Sequence, residues 1–230
     1  MKEMIFKNTS QDPAAAPLLS NGSWAFAESY KAARTNLSFL LQGPGCKVVA
    51  VAGALAGAGA SVSAINLALS FAQIGKKVLL IDCDMRLPEA AKKLGIEGAP
   101  GIADVLSGQV PAEEAIQKPG KYDIDVLPAG NIQADPTKLL QSAQLGELFE
   151  ALKENYDNIF VDVPAVLSVS DPCILSSYVD GYVLVVREDS SRYRDIADAL
   201  RQIDMVGGKV LGFLYNDARP SRRKYYKKSR

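Results

Sequence analysis

From Lys47 onward, short apolar runs alternate with stretches of helical spacing, and this alternation limits the chain to few architectures. Segments 48–52, 78–81, 124–127, 159–163, 182–186 and 210–215 have strand length and are rich in Val, Ile and Leu. Several are apolar without a polar alternate, the pattern of a strand covered on both faces. Segments 61–74, 139–154 and 191–206 place Ala, Leu and Ile at helical spacing, and 26–41 is a further helix ahead of the first strand. Strand–helix–strand units in series build a parallel sheet, so the expected fold class is α/β: a mostly parallel sheet with helices on both faces. Ligands of such sheets bind beyond the carboxyl ends of the strands, and chemistry is sought there.

The 230 residues suffice for one substantial core. The expected organisation is a flexible arm over residues 1–22, a domain over 23–217 and a basic tail over 218–230. Asp12-Pro13, an alanine run and Asn21-Gly22 give the arm turn chemistry without a period. No apolar run reaches the length of a membrane span, because Gly75, Lys76 and Lys77 interrupt the richest one. No basic segment followed by an apolar core marks the N-terminus for secretion, so a cytoplasmic location is expected. Cys46, Cys83 and Cys173 are odd in number and far apart, which fits packed thiols better than disulfides or a zinc site. With no histidine, imidazole acid–base catalysis and most transition-metal sites are excluded.

The first strand ends in Gly53-Ala54-Leu55-Ala56-Gly57-Ala58-Gly59-Ala60-Ser61 and runs straight into a helix. Glycines there let successive backbone N–H groups form a nest, and the helix turns its positive end to an anion. The phosphate-loop pattern G-x-x-x-x-G-K-[S/T] would place glycine at 54 and 59, lysine at 60 and a hydroxyl at 61. The chain has Ala54, Gly59, Ala60 and Ser61. Alone, the segment reads equally well as a flexible strand-to-helix turn. Two further strands end in acids: 78–81 leads into Asp82-Cys83-Asp84-Met85-Arg86, and 159–161 leads into Asp162. Each acid singly would serve as a helix cap or loop anchor. Together and in this order they supply what a nucleotide site needs: a nest, a hydroxyl for magnesium and acids to hold the ion or orient the attacking group.

Further motifs carry a resemblance. Glu28-Ser29-Tyr30-Lys31-Ala32-Ala33-Arg34-Thr35-Asn36 is similar to E-x-x-R-x-x-R-T-N, and Asp82-Cys83-Asp84-Met85-Arg86-Leu87-Pro88 matches D-x-D-x-R-x-P. Leu127-Pro128-Ala129-Gly130, Pro136-Thr137-Lys138-Leu139-Leu140 and the segment from Tyr156 to Pro164 follow in order. From about Glu28 to Asn216 the chain resembles the bacterial tyrosine kinases of capsular and exopolysaccharide assembly, relatives of the MinD and ParA P-loop ATPases. That resemblance implies a P-loop fold, ATP and Mg2+ as cofactors, and phosphoryl transfer to a tyrosine on a neighbouring subunit's tail, where Tyr225 and Tyr226 lie. It implies that Gly57, Ala58, Gly59, Ala60, Ser61 and Val62 cradle the nucleotide, with Arg187 and Asn216 near the adenine. Ser61, Asp82 and Asp162 would serve the magnesium, and Asp82 and Asp84 would be catalytic. Glu28, Lys31 and Arg34 would join subunits into a ring-like homo-oligomer. A separate membrane adaptor would activate the chain and recruit it to the inner face of the membrane. A tyrosine phosphatase is a further partner, and no nucleic acid is implied.

The departures from the family pattern cluster at the site: Ala56, Ala58 and Ala60 in the loop, Val163 and Ala165 after the third acid. No substitute for the loop lysine is legible, since Lys47 lies at the opposite end of its strand. Two readings follow: an autokinase impaired by Ala60, and a pseudokinase scaffold that oligomerises with or without nucleotide. A third is a MinD-like ATPase whose tail binds an acidic membrane, because residues 219–230 carry seven Lys or Arg and no acid. A merely solvated tail accounts for that charge as well.

Overall fold

The computed structural model describes residues 5–7, 23–131, 135–188 and 190–216. Tyr225 and Tyr226 therefore lie outside the described residues, as do 8–22 of the expected arm. Seven strands form one sheet: β1 (Ile5–Lys7), β2 (Lys47–Gly53), β3 (Val78–Asp82), β4 (Asp125–Leu127), β5 (Asn158–Asp162), β6 (Gly181–Arg187) and β7 (Val210–Asn216). Their order is β1-β7-β6-β2-β5-β3-β4, and every neighbouring pair is parallel. An isolated antiparallel bridge joins Gln117 to Val126 of β4.

Nine helices connect the described strands: α1 (Trp24–Leu40), α2 (Ala60–Ala72), α3 (Ala90–Leu94), α4 (Ile102–Leu106), α5 (Ala112–Ala115), α6 (Pro136–Leu140), α7 (Ala143–Lys153), α8 (Asp171–Leu175) and α9 (Tyr193–Met205). Because side chains alternate along a strand, β2 divides its residues between two cores. Val48, Ala50 and Ala52 pack with α4 to α9; Val49 and Val51 pack with α1 to α3. Both faces of the sheet are thus dry, which is why its strands read as unbroken apolar runs. Phe26, Tyr30, Ala33 and Leu37 form the buried stripe of α1, and Ser23 caps it by accepting from Phe26 N–H.

Two departures from the sequence reading have local causes. The segment read as an arm contributes β1, a three-residue strand on the outer edge of β7, too short for any period to reveal. The single helix expected over 139–154 is broken: α6 closes at Gln141, and α7 starts after Ser142 as its N-cap. No described helix is long and apolar enough to cross a membrane.

Candidate nucleotide-binding site

Strand β2 is the middle strand of the sheet, with β5 on one side and β6 on the other. The loop after it opens onto a cavity of about 380 Å³. Residues 57–62 line the cavity, together with Asp84, Glu89, Lys93, Arg187 and Asn216. Gly59 stands at the N-cap of α2 with φ 91°, a left-handed conformation, and a Cβ there would collide with the Asn216 side-chain amide. Ala60 is the first residue of α2, so the methyl group occupies the position from which a loop lysine would reach the phosphates.

The two residues carried over for the adenine side arrive through strand register. Arg187 and Asn216 are paired at the carboxyl ends of β6 and β7. Arg187 Nη1 donates to the Gly57 carbonyl at 3.2 Å, and Asn216 Nδ2 donates to the Ala58 carbonyl at 2.9 Å. Both side chains therefore brace the loop by its outward carbonyls.

The acids divide by depth. Asp82 and Asp162 are almost completely buried beneath the cavity, whereas Asp84 lines it. Asp82 Oδ1 accepts from Asp84 N–H and Oδ2 from Ala90 N–H, each at 3.1 Å, so this carboxylate ties the motif to α3. Asp84 Oδ1 accepts from Arg86 N–H at 3.3 Å and Leu87 N–H at 3.0 Å, which folds the chain back over the strand end. Burial pushes the Asp82 carboxyl up to about 7, against the opposing pull of those backbone hydrogen bonds. Asp162 is raised well above the ordinary range by burial and by the facing Asp82 charge; a hydrogen bond from Ser61 works the other way. Asp162 Oδ2 has no hydrogen-bond partner among the described residues although it is buried. A buried carboxylate oxygen without a donor fits a cation. Ser61 and Asp162 are thus the residues that would hold magnesium, with Asp82 behind them.

Arg86 and Thr137 explain the remaining motifs as scaffold. Arg86 Nε and Nη2 reach the two carboxylate oxygens of buried Asp171 at 2.9 and 3.3 Å; Nη2 also donates to Thr137 Oγ1 at 2.9 Å. Thr137 in turn donates to Asp171 at 2.7 Å. The residues expected to join subunits lie on α1, outside the cavity: Glu28 and Lys31 pair with each other at 2.7 Å, and Arg34 donates to the Ser70 carbonyl on α2. A residue that sequence reasoning did not single out, Lys93 on α3, also lines the cavity.

A family model described as an AAA domain matches residues 46–207. The tyrosine-protein kinase YwqD of Bacillus subtilis is 35% identical over 200 residues, which cover 87% of this chain and 84% of the relative. The chain belongs to the bacterial tyrosine-kinase family. A second member, the tyrosine-protein kinase ptk of Acinetobacter johnsonii, is 31% identical; the match covers 94% of this chain but 29% of that much longer protein. Among solved structures, the kinase domain of the Escherichia coli tyrosine kinase ETK superposes with a TM-score of 0.86 at 24% identity, covering 96% of this chain and 93% of that one. MinD from Pyrococcus horikoshii, complexed with Mg-ADP, shares the fold at a TM-score of 0.64 and 24% identity, covering 74% and 70%. The chain carries Ala60 where the general phosphate-loop pattern has lysine.

Proposed function

We propose that this chain is a magnesium- and ATP-dependent protein-tyrosine autokinase of exopolysaccharide assembly, with phosphoryl transfer slowed by Ala60. The observation that carries this reading is the buried Asp162 carboxylate, hydrogen-bonded to Ser61 of the cavity-lining glycine-rich loop and with its Oδ2 lacking a partner among the described residues. Backbone N–H groups of residues 57–61 would receive the phosphates, aided by the N-terminal end of α2. Magnesium, when bound, would supply neutralisation of phosphate charge. Ser61 and Asp162 would hold it, and Asp84, lining the cavity, would orient the hydroxyl of a tyrosine from a neighbouring subunit's tail. Tyr225 and Tyr226 are the proposed acceptors. A membrane adaptor would recruit and activate the chain at the cytoplasmic membrane face, and a phosphatase would reverse the modification.

Transfer of this kind depends on positioning and charge stabilisation more than on covalent help, so the missing ammonium weighs on turnover more than on fold. Ala60 also favours a second reading, a pseudokinase scaffold that assembles through α1. Incubation with magnesium and ATP, followed by peptide mass spectrometry, separates the two. Stoichiometric phosphate on Tyr225 or Tyr226 is expected of the autokinase. An unmodified tail in the presence of adaptor would assign the scaffold role.

A further inference from the structure

The loop has no lysine, yet Lys93, from another element, lines the same cavity. Lys93 sits on α3, the short helix that follows the second acidic motif. Its side chain is 25% exposed and lines the cavity with the loop, while the adjacent Lys92 is exposed. Lys93 Nζ lies 3.0 Å from Glu89 Oε2, and that glutamate is itself more than half exposed. An ion pair this open is weak, so the amine exchanges it for a phosphate at small cost. The helix beneath is fixed: Ala90 and Leu94 are buried, and Asp82 holds the Ala90 N–H. One carboxylate thus anchors the acidic motif and the base of the helix that carries Lys93. Arg187, the other basic residue lining the cavity, donates to the Gly57 carbonyl and so steadies the loop.

We propose that Lys93 stands in for the absent loop lysine and holds the terminal phosphate of the nucleotide from α3 instead of from the first turn of α2. A lysine ammonium is a compact charge on a flexible four-carbon stem, so its useful position is less tied to its backbone origin than that of a planar guanidinium. The assignment rests on the nucleotide-site reading above. It gives a role to a lysine that lines the cavity of a loop with alanine at 60.

The test is equilibrium titration of fluorescent ATP and ADP analogues, with magnesium, into the wild-type chain and the variants K93A, K93R, K92A, A60K and A60K/K93A. Thermal melts check that each variant is folded. K93A is expected to weaken ATP binding about tenfold to a hundredfold, the scale of one charge-assisted contact, and to weaken ADP less. K93R should recover most of the loss, and K92A should match wild type. In the A60K background the loss from K93A should fall below about threefold, because two amines then serve one phosphate. K93A binding like wild type, or costing the same with and without Lys at 60, overturns the inference and leaves the nucleotide site standing. A wild type that binds neither analogue while A60K binds both also overturns it, since the cavity is then competent but Lys93 does not serve. Failure of both proteins to bind overturns the nucleotide-site reading and the inference with it.

Discussion

Asp82 and Asp162 face each other in register across the adjacent strands β3 and β5, two buried carboxylates at one level of the sheet. Without a cation this arrangement disfavours the charged forms. The Asp82 carboxyl, near 7 in the fold against an ordinary 3.8, holds a proton that the unfolded chain releases. Folding therefore binds protons between about pH 4 and pH 7, and the stability of the metal-free protein is expected to fall as pH rises through that window. Thermal melts in chelator at pH 5 and pH 8 should show the lower midpoint at pH 8. Magnesium with ADP should reduce the difference. Asp82→Asn should flatten the slope and Asp162→Asn should remove the magnesium effect; an unchanged slope in D82N would contradict this account.

Restoring the loop amine gives a second prediction. Ala60 is only partly buried and lines the cavity, so the first turn of α2 has room for a longer side chain. In the K93A background, Ala60→Lys is expected to tighten binding of an ATP analogue about tenfold to a hundredfold, equivalent to about 1.5 to 3 kcal/mol, while with Lys93 present the gain should stay below about threefold. Turnover, measured as phosphate on the tail tyrosines, should rise by more than binding if the contact strengthens as charge moves in transfer.

Gly59 gives a third. Its φ of 91° and its closeness to the Asn216 amide are separate constraints. Gly59→Ala is expected to lose nucleotide binding. Adding Asn216→Gly removes the collision but not the left-handed strain, about 1 to 2 kcal/mol, so the double variant should recover only part of the affinity. Full recovery would mean that the conformation at 59 is dispensable.

The scaffold gives a fourth. Arg86→Ala leaves buried Asp171 with Thr137 alone, and the lost charged hydrogen bonds are expected to cost about 2 kcal/mol in urea denaturation. Thr137→Val, which removes one neutral donor, should cost about 1 kcal/mol. Equal and negligible losses would show that the network is surface decoration.

The sheet was legible because strands covered on both faces leave continuous apolar runs: the segment read over 48–52 is the core of Lys47–Gly53, and that over 159–163 overlaps Asn158–Asp162. The acids were legible because each ends such a run. Helix α3 was not, since five residues cannot display a period, and with it went Lys93, whose position follows from how Asp82 seats Ala90. A glutamate and lysine four apart just after the acidic motif were the available signal, but that spacing marks many solvent-facing turns. Arg187 and Asn216 were placed by resemblance; their meeting at the loop depends on β6 and β7 being adjacent, which sequence order alone does not dictate.

Strand β7 carries Asn216 to the phosphate loop at one end and accepts β1 along its outer flank. A peptide that displaced Ile5–Lys7 would therefore grip the very strand that steadies Ala58, 158 residues away in sequence. Deleting residues 1–7 is expected to speed amide exchange at positions 57–59 as well as along β7, and exchange confined to β7 would show that the strand does not transmit. The sheet's outer seam would then work as a lever on the loop, a remote hand that needs no contact with the cavity.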